Sequence, residues 1–189
     1  MIVPTLHTTR LILREHRPSD TDALMRAYAD DGFSRFITRQ GRGLSRDESW
    51  WAVAMVAGSW AASGYGMWIA EERSSGAPVG RLGPWAPEDW PDFEIGWAIF
   101  PGHQGKGFAV EGAAAAIVWV HEALGRDHVI HLIDPRNTAS ERVAAALGAE
   151  VTGTWDSPLG DRINVWTTTW GRFAVTDAYT LHRATPAQD

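Results

Sequence analysis

The sequence predicts an α/β domain built on a mixed sheet. Two observations lead there. Strand-like runs stand alone early in the chain and later alternate with helical runs. A glycine-rich turn, Gln104-Gly105-Lys106-Gly107-Phe108-Ala109, joins an apolar strand-like run to a long alanine-rich helical one. A length of 189 residues favours a single domain over 1–189, with its core at about 5–170 and a tail at 171–189.

The elements follow in order. Residues 10–15 read as a first strand. Ser19 or Asp20 can cap a helix to about Ala29, with Ala23, Leu24, Ala27 and Tyr28 on one face. Residues 33–43, rich in glycine and arginine, read as a loop. Ser45 with Glu48 forms a capping box that opens a helix to about Ala62, ended by Gly64 and Gly66. Strands are predicted over 67–70 and 79–83, with a turn at Gly76-Ala77-Pro78, and residues 84–91 read as an irregular connection. Residues 93–100 form the next strand, broken by Pro101-Gly102.

Val110, Ala113, Ala114, Ile117, Val120 and Leu124 recur at helical spacing and predict a helix over 107–124 with one buried face. A strand over 129–133 stops at Asp134-Pro135. Thr138 and Glu141 suggest a second capping box. The short helix it opens turns Ala139, Val143, Ala146 and Leu147 inward and ends at Gly148. Strands over 150–155 and 163–170 close the domain around a turn at 157–161. Residues 173–182 have helical character, and 185–189 read as frayed.

Composition narrows the function. The formal charge of −6 argues against a general binder of nucleic acid or anionic membrane, since both need a basic face. The chain has no cysteine, which removes disulfides, thiolate zinc sites and cysteine nucleophiles and agrees with a reducing cytoplasm. Met1-Ile2-Val3-Pro4 leads straight into polar residues without a signal-like apolar region, and the run 113–120 is too short to span a bilayer. A cytoplasmic protein is expected. The 11 tryptophans are many for this length, so several must line something other than a core.

The turn at 104–109 carries the first chemical signal. Glycines let backbone amides approach a ligand, and the following helix offers its unpaired N–H groups and positive dipole end to a pyrophosphate. A tight strand-to-helix turn needs the same glycines, so the segment does not decide alone.

Order and spacing add to it. Ala98-Ile99-Phe100-Pro101 precedes Gly102-His103-Gln104-Gly105-Lys106-Gly107-Phe108-Ala109. One helix and one strand later come Asn137-Thr138-Ala139-Ser140 and Ala146-Leu147-Gly148-Ala149. This arrangement resembles the GNAT superfamily of acyl-CoA-dependent N-acetyltransferases, with Gln104, Gly107 and Ala109 filling its phosphate-loop pattern. The opening Pro4-Thr5-Leu6-His7-Thr8-Thr9-Arg10-Leu11-Ile12-Leu13-Arg14, with Phe93-Glu94-Ile95-Gly96-Trp97 and Asn137/Ser140, resembles the ribosomal-protein N-terminal (serine/alanine) acetyltransferase branch.

The resemblance implies about seven mostly antiparallel strands flanked by helices. Two splayed parallel strands, here 93–100 and 129–133, would form the acetyl-CoA cleft. Amides of Gln104, Gly105, Lys106, Gly107, Phe108 and Ala109 would hold the pyrophosphate, with the Lys106 side chain either a rim contact or a solvated lysine. Amides of Ala98, Ile99 and Phe100 would bond the pantetheine arm, and one of them would polarise the thioester carbonyl. Asn137 would bond pantetheine or serve only as a turn residue. Ser140 would protonate or stabilise the leaving thiolate, or be simply a first-turn serine.

Glu94 is the candidate general base. Strand alternation puts it on one face with Gly96 and Ala98, opposite Phe93, Ile95, Trp97 and Ile99. A carboxylate inside a central strand needs a partner, and an ion pair with Arg81 is the structural alternative. Trp50, Trp51, Trp85 and Trp90 with Glu88 and Asp89 could form an aromatic, acidic mouth for a cationic amine, or pack between helices and sheet. Trp97, Trp119 and Trp166 are assigned to the core.

The reaction expected is acetyl transfer from acetyl-CoA to a primary amine by direct attack in a ternary complex. A protein N-terminal α-amine is the first acceptor; a polyamine, amino acid or aminoglycoside-like amine stays open, as does a homodimer. A dinucleotide-binding protein is a rival, although Val110 stands where its third glycine would be. A non-catalytic acyl-CoA-binding module is another. No metal is expected: the 7 histidines are scattered, and His128-x-x-His131 has no obvious third ligand.

Overall fold

The protein is described by a computed structural model over residues 2–157 and 160–184. Part of the 157–161 turn and the whole 185–189 segment therefore lie outside the described residues. The chain runs β1 (Leu6–His7), β2 (Leu11–Arg14), α1 (Thr21–Ala29), α2 (Asp31–Ser34), α3 (Arg46–Ser63), β3 (Trp68–Glu72), β4 (Pro78–Trp85), β5 (Glu94–Ile99) and α4 (Phe108–Leu124). It continues with β6 (His128–Ile133), α5 (Thr138–Ala146), β7 (Glu150–Asp156), β8 (Arg162–Thr169), α6 (Trp170–Phe173) and α7 (Asp177–Arg183). Among the described residues the strands form one eight-stranded sheet in the order β1-β2-β3-β4-β5-β6-β8-β7. The strand beyond the expected seven is β1, two residues long and too short to show periodicity.

Every pairing is antiparallel except β5 with β6. The connection between these two is α4, as a parallel pair requires. α4 packs on one face of the sheet, where Leu82, Ile95, Ile99, Ala113, Ala116 and Val120 are buried together. α1, α2 and α3 cover the other face, joining Leu24, Tyr28, Phe33 and Val53 to Ile69, Ala98 and Phe100. The two faces of β5 thus feed separate clusters, as its alternation predicts. Trp60, Trp68 and Trp119 interlock in the first cluster as a triad, with pairwise ring centroids 4.9, 5.2 and 5.6 Å apart.

Helix starts show where local patterns hold and where they fail. The Ser45 box closes as predicted: Ser45 Oγ accepts from the Glu48 amide and Glu48 from the Ser45 amide. Asp20 does not cap α1. Its carboxylate is drawn off by the Arg14 guanidinium at 2.7 and 2.9 Å and by the Arg17 amide, while Arg14 also bonds Glu71 at 2.6 Å. This buried network ties β2 and β3 to the start of α1. α5 is capped by Asn137 rather than Thr138, because the Asn137 side chain accepts from the Ser140 amide. Ala144 is buried, Val143 packs half-buried against the core as expected, and Leu147 is buried just past the helix end; Ala139 and Ala146 are exposed. The last two residues of α2, Phe33 and Ser34, run into the segment read as a loop, and β4 extends through Trp85 into the predicted irregular connection.

Gly112 sets how closely α4 lies on β4, since a Cβ there would run into the Leu82 methyls. Helix propensity favours a side chain by at most about 1 kcal/mol, whereas overpacking costs about 1–3 kcal/mol. Gly112→Val should therefore lower stability by roughly 1–2 kcal/mol, seen as a fall in Tm by circular dichroism.

Candidate active site at the parting of β5 and β6

β5 and β6 pair in register only at Glu94 and Ile130, where the Ile130 amide donates to the Phe93 carbonyl at 2.9 Å. Beyond that point side chains take over the backbone groups. The Leu132 amide donates to Glu94 Oε1 at 3.2 Å. The Ile95 carbonyl faces His131 Nδ1 at 2.7 Å, and His131 Nε2 lies 3.0 Å from Thr168 Oγ1. A carbonyl can only accept, so Nδ1 carries the proton and Nε2 accepts from the threonine hydroxyl. Unpaired backbone groups inside a fold are costly, and these side chains satisfy them while holding the strands apart. This is the splayed pair expected from the sequence.

The β4–β5 ladder decides which amides face the opening. Phe100 N donates to Val79 O at 2.9 Å, so the Phe100 amide is committed to β4 and cannot also bond a ligand in the cleft. The register pairs Arg81 with Ala98, and ladder alternation turns the Ala98 amide toward β4 as well. Of the expected three, Ile99 alone presents its amide to the opening, joined by Trp97. Side-chain alternation was read correctly, but the direction of N–H groups depends on which neighbour is hydrogen-bonded, and no single strand reveals that.

The loop after β5 is exposed and carries positive φ at Gly102, Gly105 and Gly107, of 82°, 74° and 82°. Gln104 donates to the Ile99 carbonyl at 3.0 Å, folding the loop against the strand end. Gly107 is the N-cap of α4 and supplies no side-chain cap, unlike Ser45, Asn137 and Thr176 on α3, α5 and α7. The first-turn amides of α4 around Phe108 and Ala109 thus have no side-chain cap. Phe108 itself is buried in the core.

Arg10 and Glu111 hold this loop, and the sequence reading missed their partnership. Glu111 accepts from Thr8 Oγ1 at 2.6 Å, from the Arg10 amide at 2.7 Å and from Arg10 Nε at 2.7 Å. Arg10 Nη1 donates to the Lys106 carbonyl at 2.8 Å, and its guanidinium lies over the Phe108 ring. The motif Thr8-Thr9-Arg10 is visible in sequence; its target a hundred residues away is not.

Glu94 stands where the strands begin to part. Its Oε2 accepts from Trp90 Nε1 at 2.8 Å, and Trp90 packs against Trp155 with centroids 5.2 Å apart. Burial pushes the carboxyl up to about 7, against the lowering effects of Trp90, the Leu132 amide and the more distant Arg81 charge. The alternative ion pair does not form: Arg81 makes no salt bridge among the described residues. Trp85 pairs across the ladder with Glu94. Trp50 instead meets Trp51 edge-on at 5.1 Å on the exposed side of α3, and Glu88 and Asp89 are exposed. The structure brings Trp85 and Trp90 to Glu94 and Trp155 onto Trp90; Trp155 lies in β7, too far along the chain for spacing to suggest it.

Ser140 lies across the opening. Trp97 Nε1 donates to Ser140 Oγ at 3.3 Å, and Trp97 packs against His131 with centroids 4.9 Å apart. Trp97, assigned to the core from sequence, is half-buried: it packs against two core clusters while its indole N–H reaches Ser140. Asn137 spends its side-chain oxygen on the α5 cap. His128 pairs with Asp92 at 2.9 Å, away from His131 and its partners.

A parted parallel pair beside an uncapped helix start, with a buried carboxyl on one side and a hydroxyl on the other, suits an acyl-CoA-dependent transferase. Residues 10–150 match the family model described as the acetyltransferase (GNAT) domain, and the chain belongs to that family. The domain is that of an acetyl-CoA-dependent N-acetyltransferase.

A curated relative, the uncharacterized protein YkkB of Bacillus subtilis (strain 168), is 35% identical over 103 residues. That match covers 51% of this chain and 60% of the relative, so the chain spans less than two thirds of its length. Among solved structures, the acetyltransferase from Agrobacterium tumefaciens str. C58 is 25% identical with a TM-score of 0.76, covering 88% of this chain and 95% of that one. Mycobacterium smegmatis RimJ, solved in complex with CoA-disulfide, is 20% identical with a TM-score of 0.73, covering 96% and 94%. The latter is a likeness of fold alone. No helix among the described residues is long and apolar enough to cross a membrane.

Burial also drives His131 down to about 4, despite the Ile95 carbonyl that favours its charged form. A histidine lowered from 6.5 to about 4 contributes stability at neutral pH that is lost as pH falls through that window, on the order of 3 kcal/mol. Glu94, raised from 4.5 to about 7, acts oppositely: its contribution is present at low pH and lost as pH rises through 4.5 to 7. The two slopes largely offset in the native protein. Glu94→Gln should expose the histidine slope, so that urea-unfolding stability falls on acidification from about 6.5 to 4 more steeply than in wild type.

Proposed function

We propose that the chain transfers the acetyl group of acetyl-CoA to a primary amine by direct attack in a ternary complex. The first acceptor class is a protein N-terminal α-amine. The observation that carries the reaction is the Glu94 carboxyl at the strand parting, raised to about 7 by burial and so able to exchange a proton near neutrality. The acceptor class is supported by the opening motif from Pro4 to Arg14 and by the likeness of fold to a structure described as a putative ribosomal-protein-serine acetyltransferase from Vibrio cholerae.

The residues fit the cosubstrate. First-turn amides of α4 and the Gln104–Gly107 loop would receive its diphosphate, and the Ile99 and Trp97 amides its pantetheine arm and thioester oxygen. Bound there, acetyl-CoA supplies an activated acyl carbon. As the amine nitrogen bonds to that carbon, the carbon–sulfur bond breaks. The proton released by the amine passes to Glu94 and then to solvent, and the thiolate takes up a proton from solvent. Ser140 stabilises the developing thiolate. Its oxygen already accepts from Trp97, which leaves its own O–H to donate. Trp90 and Leu132 keep Glu94 oriented from the other side.

Acetyl-CoA with N-terminal peptides and with small amines, followed by release of free CoA thiol, tests the reading. CoA release that requires an amine is expected; absence of release with every amine overturns it. Glu94→Gln should lower kcat/KM by about 10²–10⁴-fold, with little change in acetyl-CoA affinity by calorimetry. The wild-type kcat/KM should rise with pH through about 7, and this limb should vanish in the variant.

A further inference from the structure

Arg81 is a buried cation without an anion. It lies in β4, and the residue is only 8% exposed. No carboxylate among the described residues comes within 4.0 Å of it. Its Nη1 points at the Met67 thioether, its Nε is buried with no hydrogen-bond partner, and its guanidinium lies 5.6 Å from the Tyr28 ring centroid. A thioether is a weak acceptor, and a guanidinium has five N–H donors that it cannot give up. A nearby aromatic face offers less than burying a charge costs. By contrast, Arg14, the other deeply buried arginine, is matched by Asp20 and Glu71.

The place of this guanidinium gives it a use. The ladder aligns Arg81 with Ala98, Gly83 with Gly96 and Trp85 with Glu94, so Arg81 and Glu94 share the sheet face covered by α1 and α3. The space between them is spanned by glycines and by one flexible side chain. A Cβ built on Gly96 would lie 3.1 Å from Met67 Cε and 3.8 Å from Glu94 Oε1, so Met67 reaches from beside the glutamate to the arginine. Methionine has three rotatable bonds and moves at low cost.

We propose that the acceptor amine carries a carboxylate, which displaces the Met67 thioether and takes the Arg81 guanidinium while the amine meets Glu94. The proposal rests on Glu94 marking the amine position. A planar carboxylate matches the guanidinium fork in two parallel hydrogen bonds and neutralises a charge that the protein leaves unpaired. The carboxylate can belong to a free amino acid or to an acidic side chain next to a peptide N-terminus; the chemistry at Arg81 is the same.

The test compares matched amines in the full-length protein. Free amino acids are set against their carboxamides, and peptides with Glu at the second position against the same peptides with Gln. Wild type should prefer the carboxylate member of at least one pair by about tenfold or more in kcat/KM, and the pair that shows it identifies the source. Arg81→Gln should bring that ratio close to one, and Arg81→Lys should restore part of it. Equal rates for both members in wild type, or an unchanged ratio in Arg81→Gln, overturns the proposal.

Calorimetry of wild type with N-acetylglycine and with N-acetylglycinamide, and with the acetylated Glu- and Gln-peptides, reads the same preference without turnover. Tighter binding of a carboxylate member with no CoA release from any amine would sustain the arginine site while overturning the transferase reading. Equal binding throughout overturns the arginine site alone.

Discussion

The structure depends on an unfinished pairing between two parallel strands. β5 and β6 meet at Glu94 and Ile130 and then separate, which would leave backbone donors and acceptors unsatisfied in the middle of a sheet. Glu94, His131 and Gln104 take the Leu132 amide and the Ile95 and Ile99 carbonyls. The Trp97 and Ile99 amides remain facing the gap. The cleft is therefore a place where the sheet gives up its own ladder hydrogen bonds and side chains replace some of them.

The two ionisable groups at this parting differ in what they can do, because their partners differ. His131 is enclosed and bonded through both ring nitrogens, one to a carbonyl and one to Thr168, so it stays neutral and serves as a wedge. Glu94 is bonded on both oxygens as well, yet its donors are only an indole and a backbone amide. These fall short of offsetting desolvation, and the carboxyl exchanges protons near neutrality. One side chain keeps the opening in shape and the other is free to act in it.

A second constraint comes from far along the chain. The Thr8–Arg10 segment meets Glu111 in the first turn of α4, and Arg10 also holds the Lys106 carbonyl. The acidic residue near the helix start is thereby occupied by its own cation and hydroxyl, and the loop amides are fixed in place. The packing of Gly112 over Leu82 sets the depth of the same helix on the sheet. Loop, helix start and strand edge consequently behave as one preorganised unit.

Much of this was legible from residues alone. The apolar periodicity of α4, the Ser45 capping box, the glycines at 102–107 and the alternation of β5 are local patterns, because burial period and cap chemistry act within a few residues. They determined the α/β class and the position of the loop, and strand alternation singled out Glu94, whereas Ser140 was proposed from the family resemblance. Only the tertiary structure decided that Phe100 spends its amide on Val79, that Asp20 serves Arg14 rather than α1, and that Trp97 reaches Ser140 while Trp155 packs on Trp90. It also left Arg81 without a carboxylate. Hydrogen-bond direction and charge pairing depend on which neighbour arrives from elsewhere in the chain, and that is a property of the assembled sheet.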